Sequence, residues 1–315
     1  MNANDSPTGR PAPKTHEGRV VDTFAEAFPM TAARAILTAD TREWARIAAQ
    51  TMTGYATSVI ACDAEAGIER PLDETETPDG RPGFSVLIFA FSRDALEKAL
   101  ANRVGQCVMT CPTTACYSGL PAGEKNVSVG GRLRYFGDGW QVSKRIGGRR
   151  YWRIPVMDGE FLCEETFGTT KGVAGGNLIV MGSEPGATLR ATESAVAAIR
   201  QDVRDMILPF PGGIARSGSK VGSKYRGLRA STNTAFTPTL RGVVPTDMPP
   251  GVRCVYEIVI DGLTLESVEK ATAIGVRAAL DEPSVASVTA GNYGGNLGPF
   301  HIRLLDVLAR FGARA

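Results

Sequence analysis

Histidine is almost missing from this chain: among 315 residues only His16 and His301 are histidines, which excludes a histidine-based triad or a histidine metal cluster as the basis of any chemistry. A Gly-x-Ser-x-Gly nucleophile elbow is also missing. The six cysteines (Cys62, Cys107, Cys111, Cys116, Cys163, Cys254) never show Cys-x-x-Cys spacing and mostly sit in apolar runs. They read as buried free thiols in a reducing compartment, with no metal bound. No apolar run reaches the ~18 residues of a membrane span. Lys plus Arg number 35 against 33 Asp plus Glu, a net charge of +2 that provides no global field for nucleic acid or anionic lipid. Residues 1–20 are rich in Pro, Asn, Thr and Gly without an apolar stretch, so they read as a disordered tail and not a secretion signal, and the expected location is the cytoplasm. Carboxylates, hydroxyls, lysines and backbone amides remain to carry any catalysis.

What is present is a fourfold alternation of short apolar strands and capped amphipathic helices. The first unit predicts a strand over 34–38, a capping box of Asp40 and Glu43, a helix with Trp44, Ile47, Ala48, Thr51 and Met52 on one face, and a return strand over 57–62. A second predicts a strand over 84–91, a helix capped by Ser92 and ended at Gly105, and a return over 106–110. The third and fourth predict strands over 177–181 and 254–261, helices bearing Ile199 and capped by Thr264, and returns over 205–209 and 285–290. Two βαβ units paired antiparallel make a split βαβ sandwich, so the fold class is α+β: two ferredoxin-like lobes from an internal duplication of architecture. A doubly wound parallel sheet is the alternative, but 118–170 lacks a helical period. That segment alternates at 132–136, 140–142, 151–154 and 161–163 and predicts an inserted β-meander. The expected divisions are a tail over 1–20, lobes over 21–170 and 171–306, and an extension over 307–315. The long Gly/Ser/Thr/Pro-rich stretch 211–250 is expected to be functional.

Several local patterns stay open on their residues alone. Gly213-Ile-Ala-Arg-Ser-Gly-Ser-Lys220 approaches a phosphate loop, but Ser219 stands where the lysine belongs and no periodic helix follows. It is either an ordinary polar loop or, with Lys220 and Lys224, a holder of carboxylate or amide groups. Gly172-Val-Ala-Gly-Gly-Asn177 and Gly291-Asn-Tyr-Gly-Gly-Asn296 are incomplete dinucleotide fingerprints and read as tight turns able to approach a ligand closely. Glu257 shares a strand face with Val255 and Val259; there its charged form is disfavoured and its pKa rises, unless the face is wet. Lys144, Arg145, Arg149, Arg150 and Arg153 form a basic run with Tyr151 and Trp152, either a solvated hairpin face or a local anion site; nucleic acid is disfavoured.

From Val21-Asp-Thr-Phe-Ala-Glu-Ala-Phe28 onward the sequence resembles the formylmethanofuran:tetrahydromethanopterin formyltransferases. The likeness continues through Ala64-Glu-Ala-Gly-Ile68, Thr77-Pro-Asp-Gly-Arg-Pro-Gly83, Gly105-Gln-Cys-Val-Met-Thr110, Pro209-Phe-Pro-Gly-Gly-Ile214, Ser219-Lys-Val-Gly-Ser-Lys224, Ala230-Ser-Thr-Asn233 and Cys254-Val-Tyr-Glu-Ile-Val-Ile260. It implies transfer of a formyl group between tetrahydromethanopterin and a methanofuran-type amine, both acting as substrates with no bound cofactor or metal. Carried over by position, Glu257 is the acid, and Gly212, Gly213, Ser217, Ser219, Lys220, Ser223, Lys224, Asn233 and Asn177 form the substrate-binding set. The resemblance further implies homo-oligomer contacts. An Ala- and Arg-rich composition suits a methylotroph-type bacterial member working beside formyl-coenzyme hydrolase subunits, and the basic hairpin is then a candidate contact for a coenzyme's polyglutamate tail or for a partner subunit. Two rival readings are a non-catalytic scaffold or ligand-sensing subunit, and a folate-dependent formyltransferase. An intact Glu257 argues against the first, and comparison of the two formyl donors separates the second.

Overall fold

In the computed structural model, which describes residues 16–123 and 125–311, the chain folds into two lobes of the same topology joined through one sheet. The first lobe contains β1 (Phe24–Thr38), α1 (Arg42–Thr53), β2 (Glu65–Leu72), β3 (Gly83–Ala90), α2 (Arg93–Arg103) and β4 (Ala115–Ser118). Then come β5 (Asn126–Ser128), a short α3 (Gly130–Leu133), β6 (Val142–Ile146), β7 (Arg149–Val156) and β8 (Gly159–Glu164). The second lobe is built from β9 (Thr166–Gly182), α4 (Pro185–Asp202), β10 (Met206–Ile207), the hairpin β11 (Ser219–Val221) and β12 (Ala230–Thr232), β13 (Cys254–Gly262), α5 (Leu265–Leu280) and β14 (Val285–Thr289). It ends in β15 (Phe300–Arg303) and α6 (Leu304–Phe311).

Strand order shows the duplication directly. Lobe one runs β4-β1-β3-β2 and lobe two β14-β9-β13-β10, every pair antiparallel. Each is therefore the order 4-1-3-2 of a split βαβ sandwich. β1 and β9 are long enough to serve twice: their middles pair antiparallel, Phe28 with Ala174 through Ala33 with Thr169. The expected division at 170/171 consequently falls inside β9. β6, β7 and β8 form the expected meander, attached to β4 by a short parallel pairing, Ala115 with Leu162 and Cys116 with Cys163. β15 returns to the first half of β1, Phe24 opposite Arg303.

The caps explain why the helices begin where they do. Ser92 and Thr264 accept the N–H groups of Ala95 and Ser267 at 3.2 and 3.1 Å, as their spacing predicts. α1 corrects the expectation by one residue: Thr41, not Asp40, caps it by accepting the Trp44 N–H, while Asp40 pairs with Arg81. Its buried stripe is Ala45, Ala48, Ala49 and Met52, with Trp44 and Thr51 turned outward. Alanine on that stripe lets the helix lie close to the sheet.

Three expected strands do not exist. Residues 57–62 form a turn-rich loop, and the return strand starts later, where Gly67 presses against Ile207 of the other lobe. Residues 106–110 continue α2 as a π-helical turn, Val104–Val108, whose Val104 and Val108 keep a helical spacing inward. Residues 132–136 belong to helical turns, with the Arg134 guanidinium 4.7 Å from the ring centre of Trp152. Aromatic and β-branched residues signal strand and buried helical turn alike in so short a run.

Of the expected tail, residues 1–15 lie outside the described residues, whereas Arg19 donates to the carbonyls of Leu280, Glu282 and Val285. In the extension, Val307 is buried in α6 and residues 312–315 lie outside the described residues. A second bond between the lobes is ionic: Arg34 forks onto Glu69 with two 2.8 Å bonds and reaches Asp205 at 2.5 Å. Among the described residues no helix is long and apolar enough to cross a membrane.

Candidate functional site

β13 carries Glu257 across the middle of lobe two, with Ile179 of β9 opposite it on one side. Ala215 bridges the other side, exchanging backbone hydrogen bonds of 2.7 and 2.9 Å. The side chain shares its face with Val255 and Val259, as the period of two requires. Burial pushes its pKa up, held back only by Asn177, whose Nδ2 donates to Glu257 Oε1 at 2.8 Å. Asn177 is itself fixed, because its Oδ1 accepts the Gly291 N–H at 2.9 Å.

Glu257 stands in the wall between two cavities. The larger, about 350 Å³, is lined by Phe28, Phe91, Glu65, Asn177, Tyr293 and Glu257 among others. The smaller, about 120 Å³, is closed by Ser217, Asn233, Phe236, Tyr256 and again Glu257. A weakly acidic carboxyl touching both spaces can exchange a proton with a group in either.

The glycine-rich exit, 291–298, forms the far wall of the larger cavity and is held by a residue that sequence reasoning missed. Glu26 of β1 is 1% exposed. Its Oε2 accepts from Tyr293 and Gly295 at 2.7 and 3.1 Å, and its Oε1 from Leu297 and from Gly298 at 2.8 Å. Burial alone would raise its pKa, but the four amides together bring it below the ordinary value. The available signal is the one that exposes Glu257: Phe24, Glu26 and Phe28 alternate on one face of an apolar strand.

The family model described as formylmethanofuran-tetrahydromethanopterin formyltransferase matches residues 14–156, and the model of its proximal lobe matches 159–307. The chain belongs to this formyltransferase family. The Methylococcus capsulatus formylmethanofuran–tetrahydromethanopterin formyltransferase is 55% identical over 291 residues, covering 91% of this chain and 97% of that protein. The crystal structure of the formyltransferase/hydrolase complex of Methylorubrum extorquens, with methylofuran, contains a chain matching at a TM-score of 0.88 and 50% identity, over 92% of this chain and 96% of that one. The Methanosarcina barkeri formyltransferase structure matches at a TM-score of 0.86 and 47% identity, over 92% and 98%.

Within this formyltransferase the expected site residues fall into two groups. Asn177, Ser217 and Asn233 gather around Glu257. The others are placed elsewhere. Gly212 and Gly213 occupy a turn at φ +66° and +93°, and Gly212 borders a third cavity of about 810 Å³ between the lobes. Lys220 donates to Thr234 Oγ1 at 3.3 Å, the Ser223 hydroxyl accepts the Tyr225 N–H, and Lys224 lies over the Tyr225 ring. Ser219 contributes its backbone to β11, opposite Thr232. The hairpin reaches the larger cavity through Val221, whose N–H donates to the Tyr293 hydroxyl at 3.0 Å.

The β7 half of the basic run is neutralised: Arg149 pairs with Glu164 at 2.5 Å, Arg150 with Glu165 at 3.3 Å and Arg153 with Glu160 at 2.5 Å. Glu164 is buried and also accepts the Ser118 N–H at 2.9 Å, while Arg149 donates to the Ser118 carbonyl at 3.0 Å, so the pair together holds the meander to β4.

Proposed function

We propose that this formyltransferase moves a formyl group reversibly between a ring nitrogen of tetrahydromethanopterin and the amine of a methanofuran-type coenzyme. The observation that carries the reading is the position of Glu257: one carboxyl of raised pKa shared by two cavities, as a transfer between two bound molecules requires. The attacking amine adds to the formyl carbon, and the carbonyl oxygen of the tetrahedral intermediate gathers negative charge. A neutral Glu257 hands its proton to that oxygen and takes it back as the intermediate collapses. The proton lost by the incoming amine ends on the departing nitrogen, so atoms and charge balance. Asn177 keeps the carboxyl aimed, and Ser217 and Asn233 are the side chains of the smaller cavity suited to steady the oxygen. Holding both coenzymes in line contributes through orientation, worth about 7–11 kcal/mol at best.

In this reading both coenzymes are substrates and the protein needs no resident cofactor. The Methylorubrum relative functions within a formyltransferase/hydrolase complex. By analogy, this chain works in the cytoplasm beside hydrolase subunits, in contact with copies of itself. The test is formyl transfer from formyl-tetrahydromethanopterin to a methanofuran-type amine by the purified protein and by Glu257→Gln. An active wild type and a folded variant slowed about a hundredfold or more support the acid role. A wild type inactive even with hydrolase subunits present supports a scaffold instead, and faster transfer from a formyl-folate points to a folate-dependent enzyme.

A further inference from the structure

A second pair of carboxyls lies beside the larger cavity, and the chemistry above does not use it. Glu65 opens β2 in lobe one, and Asp261 sits at an irregularity of β13, where the register on β9 shifts between Ile260 and Gly262. Each has one oxygen satisfied: Glu65 Oε1 accepts the Val59 N–H and Asp261 Oδ1 the Gly175 N–H, both at 3.0 Å. The remaining oxygens, Oε2 of Glu65 and Oδ2 of Asp261, are buried with no N–H or O–H to bind. The two carboxyls lie within hydrogen-bonding range of each other. Among the described residues no Lys or Arg acts on either; what faces them is the other carboxyl and the amides of Val59 and Gly175.

Two adjacent buried carboxylates without a cation would repel each other and lose their hydration with nothing in return. Two neutral acids would leave a second O–H with no further acceptor among the groups that face the pair. A single proton between them satisfies both unpartnered oxygens at once. We propose that Glu65 and Asp261 share one proton and act as a clasp between the lobes, holding the cavity wall at residues 58–60 against β13. They are positioning residues, because Val59 and Gly175, which they bind, line the same cavity as Glu257. Burial raises the pKa of both carboxyls, in keeping with a proton retained at neutral pH.

The shared proton does not depend on the formyl-transfer reading; the positioning role does. Infrared difference spectroscopy on Glu257→Gln, which removes the other raised carboxyl of this cavity, should show a protonated-carboxyl band at neutral pH, distinct from any contribution of buried Glu164, which Glu164→Gln identifies. That band should vanish on adding either Asp261→Asn or Glu65→Gln, since each amide donates a fixed N–H to the surviving carboxylate. No band in the Glu257→Gln protein, or a band that survives both additions, overturns the proposal. The first of these outcomes needs no further variant to fold. For positioning, Asp261→Ala should raise KM about tenfold with kcat less affected, and Asp261→Asn should restore KM. A KM unmoved by Asp261→Ala removes the positioning role and leaves the shared proton to the spectra.

Discussion

Replacing Glu26 with Gln tests whether a glycine-rich wall is built by its own turns or by one buried carboxylate. Both oxygens of Glu26 accept two amide N–H groups, from Tyr293 and Gly295 on one and from Leu297 and Gly298 on the other. Glutamine keeps one carbonyl oxygen and turns an NH₂ toward the other two amides, so two hydrogen bonds are lost and donors face donors. Hydrogen bonds to a charged group are worth about 1.5–3 kcal/mol each, which sets a ceiling of about 6 kcal/mol. Recovery of some amides by water brings the expected loss to about 3 kcal/mol. Urea unfolding should show that loss, and amide exchange should rise at residues 293–298 while α2 stays protected. The pH dependence has a definite sign. Because the folded carboxyl has a lowered pKa, its contribution is fully present above the unfolded value of about 4.3 and fades as pH falls through the folded one. The stability difference between wild type and Glu26→Gln should therefore shrink below about pH 4. Unchanged exchange at 293–298 in a folded Glu26→Gln would refute the reasoning.

Asn177→Ala removes the amide that holds the Glu257 pKa down, so the limb on which kcat falls with rising pH, as the neutral acid is lost, should move upward; a downward shift contradicts the assignment. Gly175→Ala places a side chain at φ +85° with its Cβ 2.6 Å from the Phe28 ring, for an expected loss of about 2–4 kcal/mol by thermal unfolding. Arg149→Gln leaves the buried Glu164 carboxyl without its cation and should cost about 3 kcal/mol in urea unfolding, with Glu164→Gln in the same chain restoring much of it.

The two-lobed plan was legible because each lobe repeats a strand, a capped helix and a strand, and the caps at Ser92 and Thr264 lie where their oxygens were expected. Errors cluster where an apolar run is shorter than about two helical turns, at 57–62, 106–110 and 132–136, because such a run fits a strand or a packed turn equally well. Glu257 could be found locally, since an acid among Val255, Ile258 and Val259 is conspicuous within its own strand. Glu26 and Glu65 could not be assigned partners in the same way. Glu26 binds amides more than 260 residues away, and Asp261 reaches Glu65 only because β10 and β13 bring lobe two against β2. Carried-over positions at the β11–β12 tip, Ser223 and Lys224, show the converse limit: a motif fixes an order along the chain, not a distance to Glu257.

Three glutamates line the larger cavity, and the fold shifts their pKa values in different directions, with no ion pair to any of them among the described residues. Burial raises the pKa of all three, so the outcome turns on how many amides answer it. Glu26 receives four and stays ionised, anchoring the glycine-rich wall. Glu257 receives one, from Asn177, and its proton is held more tightly than usual, as an acid facing two substrates needs. Glu65 receives one amide and a second carboxyl, and the pair keeps a proton as a structural link. In the proposed reading, identical side chains in one cavity serve as anion, acid and clasp because they receive different donors: four backbone amides at Glu26, one side-chain amide at Glu257 and one backbone amide at Glu65. It follows that altering donor count at one glutamate, and not the overall charge of the chain, is the change that should convert one role into another.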